Sequence, residues 1–194
     1  MSALARQSQI FRDIRQEALD WCKGKNWQWR LLILAWFAYV LFRHLNDPMY
    51  NSILGALNLG IHELGHFVFG FFGNFLGVLG GTLLQCFVPV LSVANFYRQR
   101  DFFAIALSFG WLSTNFFDVA RYIADARAME LPLVSPFGMG VIHDWNHLLG
   151  RMGLLEYDHM FSFSIKVLAV ISMLACLVAG GWLIWQMKLQ KEEN

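Results

Sequence analysis

The sequence predicts an all-α, polytopic transmembrane helical bundle. Two observations carry that reading. Hydrophobic residues make up 57% of the 194-residue chain and charged residues only 15%, too few to cover the surface of a soluble domain of this size. The charges are also absent from long stretches: Leu64 to Tyr97, Phe102 to Phe117 and Val167 to Met187 contain no Asp, Glu, Lys or Arg. Runs of this kind meet or approach the ~20 apolar residues needed to cross a hydrocarbon core.

The N-terminal residues 1–28 read as an amphipathic helix lying at the membrane surface. Ile10, Phe11, Ile14, Ala18, Trp21 and Cys22 recur at helical spacing on one face, and Arg6, Asp13, Gln16, Glu17 and Asp20 occupy much of the remainder. Charges run through this segment without an apolar h-region, so it does not resemble a cleavable signal peptide. Residues 29–187 form the membrane domain, and 188–194 a charged tail. The first crossing is Trp29 to Leu45, with Arg30 and Arg43 snorkelling at its ends. Asn46-Asp47-Pro48 is a turn, and a second helix runs from about Ser52 to Phe72.

Phe75 to Tyr97 is more complex, because Gly77, Gly80 and Gly81 crowd its start and Pro89 interrupts its middle. It reads as a kinked helix or a re-entrant segment, giving four to five spans in all. A fourth helix runs from Phe102 to about Ala126. A polar stretch with Pro132, Pro136, His143, Asp144 and His147 comes next, then a last apolar span from Phe161 to Met187. The basic residues Arg6, Arg12, Arg15, Lys23, Lys25 and Arg30 argue for a cytoplasmic N-terminus. Keeping Arg98, Arg100, Lys188 and Lys191 on that side favours four spans plus the re-entrant segment.

Composition narrows function as well. A net charge of +1 without a dense Lys/Arg cluster gives no basis for a nucleic-acid partner. Cys22, Cys86 and Cys176 are widely separated and imply no disulfide framework.

The chemistry concentrates in His62-Glu63-Leu64-Gly65-His66, an HExxH pattern. Residues four apart share a helix face, so both imidazoles can bind one metal ion, with Glu63 beside them to act as general base. Glu63 is also the only charged side chain between Asp47 and Arg98, and a carboxylate in hydrocarbon is costly enough to mark a functional site. Catalytic zinc sites take three protein ligands and leave a position open for water. The third ligand is Asp144, in the cluster His143-Asp144-Trp145-Asn146-His147, or else Asp118. Asp144 fits better, since Arg121 and Asp125 supply Asp118 with an intrahelical charge network. Imidazole and carboxylate suit Zn2+, although they accept other divalent metals too.

An HELGH sequence in an apolar helix, followed by glycines, resembles the site-2 protease family of intramembrane metallopeptidases, in its shorter bacterial-type form. The resemblance spans roughly Asn58 to Trp145 and is sharp only at HELGH. It implies one zinc per chain held by His62 and His66, Glu63 as the general base, and a membrane-protein or peptide substrate cleaved within or near the lipid bilayer. It also implies an Asp ligand from a later helix in a Leu-Asp-Gly context. That motif is absent here, which leaves Asp144 or Asp118 for the role. In the family, the glycine-rich segment pairs with an extended substrate, a part that Gly77 to Gln85 would take here by strand addition. The competing expectations are a catalytically inactive membrane scaffold or regulator that retains the metal site, and a metal transporter lined by His62, His66, Asp118 and Asp144.

Overall fold

A computed structural model describes residues 3–132 and 142–192; Pro136 therefore lies outside the described residues. The described chain is helical and contains no strand. Its helices are α1 (Ala3–Cys22), α2 (Gln28–Asn46), α3 (Gly55–Gly70), α4 (Asn74–Arg98), α5 (Phe102–Ala124), α6 (Asp144–Met152) and α7 (Asp158–Glu192), with one 3-10 turn at Leu155–Tyr157 before α7. Three stretches are long and apolar enough to cross a membrane: α4, α5, and Leu155–Glu192. Helix α3, with 16 residues, rises only ~24 Å, and α2 carries Arg30, Arg43 and His44.

The stretch expected to be kinked or re-entrant is helical from end to end. Its amides stay within the helix even across Pro89, where the ring costs the bond that the Gln85 carbonyl would otherwise accept. The glycines serve packing instead. A Cβ on Gly65 of α3 would lie 2.3 Å from the Gly80 carbonyl oxygen, and one on Gly80 would lie 2.7 Å from the Gly65 oxygen. The backbones of α3 and α4 touch there, as small residues permit at helix contacts in membranes. Strand addition to Gly77–Gln85 is thereby excluded, because a helix offers no free ladder edge.

Helix α7 lies along α5, and serines stitch the pair. Ser113 donates to the Ala169 carbonyl, Ser172 to Phe109 and Ser162 to Ala120, each at 2.7 Å. In lipid there is no water to satisfy these hydroxyls, so they bond across helices. Phe37, Val40, Phe103, Met173 and Cys176 form a dry core shared by α2, α5 and α7. Helix α1 joins it at its C-terminal end. There Ala18 and Cys22 are buried and the Cys22 thiol donates to the Leu183 carbonyl, whereas Ile10 and Phe11 are exposed. The charged residues from Lys188 to Glu192 continue α7 as helix.

Candidate metal centre

His62 and His66 stand one turn apart on the face of α3 that meets α4, with ring centroids 4.6 Å apart. Their Nε2 atoms approach to 2.9 Å. Asp144 completes the group: its Oδ2 is 2.9 Å from His62 Nε2 and 3.2 Å from His66 Nε2. His62 and Asp144 are buried, and His66 is partly so. Among the described residues these three are the His/Cys/Asp/Glu group able to hold a metal ion.

Asp144 is delivered from far along the chain by a set of local devices. It is the first residue of α6, whose N-cap is His143. The His143 Nδ1 accepts the Asn146 N–H at 3.2 Å, so its Nε2 carries the proton and donates to Asp125 Oδ2, also at 3.2 Å. The Asp144 N–H donates to the Tyr122 hydroxyl at 3.0 Å, and the Asn146 amide donates to the Ala126 carbonyl at 2.8 Å. The Tyr122 ring covers His143, with centroids 4.3 Å apart. Asp125 also accepts the N–H groups of Glu130 and Leu131. The end of α5 thus grips the start of α6.

The outer nitrogens of the two imidazoles face acceptors on α4. His66 Nδ1 is 2.9 Å from the Gly77 carbonyl oxygen, and His62 Nδ1 is 2.6 Å from Gln85 Oε1. With both protons placed there, the Nε2 lone pairs and a carboxylate oxygen converge on one point, an arrangement that a cation relieves. Spacing agrees. Tetrahedral zinc with bonds of ~2.0–2.1 Å separates its ligands by ~3.3 Å, close to the separations found. A Cβ on Gly81 would lie 2.6 Å from His62 Nε2 and 2.7 Å from His66 Cε1, so only glycine leaves this space open. The residues present fit a divalent metal.

Asp118, the other carboxylate weighed from sequence, is engaged elsewhere. Its Oδ2 accepts from the Asn58 amide at 2.8 Å and its Oδ1 from Arg121 at 3.4 Å. Asn58, one turn before His62, also receives the Trp111 indole N–H at 2.9 Å, which ties α3 to α5. His143 acts as cap and tether, and His147 stands outside the group. Glu63 is half-buried on the turn between the histidines, and its carboxylate makes no hydrogen bond or ion pair among the described residues. Sequence reasoning did not single out Gln85, Tyr122 or Gly81 for the site. Gln85 had a usable signal, as an amide in the middle of a long apolar helix; Tyr122 had none.

No protein-family model, curated protein or solved structure matches the chain.

Proposed function

We propose that this chain is an intramembrane zinc metallopeptidase. The observation that supports it most is the convergence of His62 Nε2, His66 Nε2 and Asp144 Oδ2 at 2.9–3.2 Å, with the Glu63 carboxylate on the residue adjoining His62. Of the metals such ligands accept, zinc suits two imidazoles and one carboxylate and leaves a position for water. Zinc held there supplies Lewis-acid activation of a water and of the scissile carbonyl. Glu63 takes the water's proton as its oxygen attacks the carbonyl carbon, then delivers a proton to the amine nitrogen as the C–N bond breaks. His62 and His66 would hold the metal through their Nε2 atoms. Tyr122 and His143 keep Asp144 in place.

The position of the site supports a membrane-protein substrate. Helix α3 packs on the membrane-crossing helix α4, so a peptide reaching Glu63 comes from a membrane-protein segment or its stub. We place α2 and α3 in the bilayer beside the three long helices, with a cytoplasmic N-terminus, by the basic residues from Arg6 to Arg30. The HELGH sequence, and the resemblance to site-2 proteases that it carries, agree with this reading.

The test uses the purified, zinc-loaded chain in lipid with quenched-fluorescence peptides built on apolar transmembrane-type segments. Wild type cleaves, and Glu63→Gln retains zinc but loses roughly 10²–10⁴-fold in rate. If zinc binds stoichiometrically and wild type cleaves nothing, the inactive scaffold or regulator takes its place.

A further inference from the structure

We propose that helix α4 is the mould that orients both imidazoles of the metal centre, with Gln85 as its positioning residue. This role rests on the metal-centre reading and falls to residues outside the ligand set.

Gly77, Gly81 and Gln85 are four apart on α4 and therefore share one face of that helix. The three meet the histidine pair in antiparallel register. Gly77 offers its carbonyl to His66, Gly81 leaves room for both rings, and Gln85 offers its side-chain oxygen to His62. A histidine binds metal through one nitrogen only when its proton sits on the other, so the partner of the outer nitrogen decides whether the ligand is usable. The Gly77 carbonyl can only accept, which fixes His66.

For His62 the partner is an amide that has both a donor and an acceptor end, so its direction must be set as well. Asn115 sets it. The Gln85 Nε2 donates to the Asn115 backbone carbonyl at 3.4 Å, a group unable to donate in return. The amide oxygen is thereby turned to His62 Nδ1, and the His62 Nε2 lone pair is turned to the metal position. A chain of fixed polarity thus runs from α5 through α4 to α3.

Physical chemistry also explains why the residue is Gln. A carboxylate would accept the same bond but add a second buried anion beside Asp144, whereas a neutral amide orients the ring without a charge to compensate. Gln85 is only 4% exposed, so it is shielded from bulk water.

The measurement is zinc affinity of the full-length chain in detergent, by competition with a chromogenic chelator. Gln85→Leu binds zinc about 10–100-fold more weakly than wild type. Gln85→Glu, which keeps the acceptor, stays within about tenfold of wild type. Wild-type affinity in Gln85→Leu would overturn the role of Gln85. If His66→Ala also binds like wild type, the metal centre itself falls, and the positioning role with it. A readout independent of any variant is 15N NMR of the histidines in the zinc-loaded wild type. The proton of His62 is expected on Nδ1; a proton on Nε2 overturns the proposal.

Discussion

Gly81 lies so close to His62 that a methyl group on it would sit 2.6 Å from the ring's Nε2. This single relationship joins helix packing to metal chemistry, because the same atom would also crowd His66. Gly81→Ala is therefore expected to displace both imidazoles and abolish stoichiometric metal binding, while the chain keeps its helical content. Metal analysis alongside circular dichroism checks it. Retention of one metal per chain in Gly81→Ala would show that the rings have room the geometry denies them.

The two acidic residues weighed from sequence separate cleanly in their expected phenotypes. Asp144→Ala removes a ligand and releases the metal. Asp118→Ala leaves the metal in place but costs roughly 1–3 kcal/mol of stability, because Asn58 and Arg121 lose their shared acceptor. Metal content and thermal unfolding in detergent, read on both variants, distinguish these outcomes.

His143 has two duties, capping α6 and tethering it to Asp125, and a substitution can divide them. Asparagine is a good N-cap but is too short to reproduce the bond to Asp125. His143→Asn should keep α6 and still weaken metal binding about 10–100-fold, since Asp144 is then held less firmly. Equal affinity in His143→Asn and wild type would show the tether to be dispensable.

The serine stitches between α5 and α7 predict a purely structural effect. Ser113→Ala and Ser172→Ala should each cost about 0.6 kcal/mol, with ~1.7 as an upper bound, and leave metal affinity unchanged. Equilibrium unfolding in mixed micelles measures the first quantity and chelator competition the second.

Much of this protein is legible in its sequence. The scarcity of charge and the long apolar runs determine a helical, membrane-crossing chain, because a backbone in lipid must satisfy its own hydrogen bonds. The four-residue spacing of His62 and His66 determines a shared face, a purely local consequence of helix geometry. Contacts between distant segments are not legible in this way. Asp144 is separated from His62 by 82 positions, and its choice over Asp118 depends on how the end of α5 grips α6. The glycines after HELGH read from sequence as a break or a substrate edge; they are instead the close contact of two helices, because a missing side chain has the same spelling in either use. Gln85 became part of the site only when α4 was laid antiparallel to α3, which placed its amide against an imidazole. Local periodicity is written in neighbouring residues, whereas the partner of a buried polar group is decided by packing.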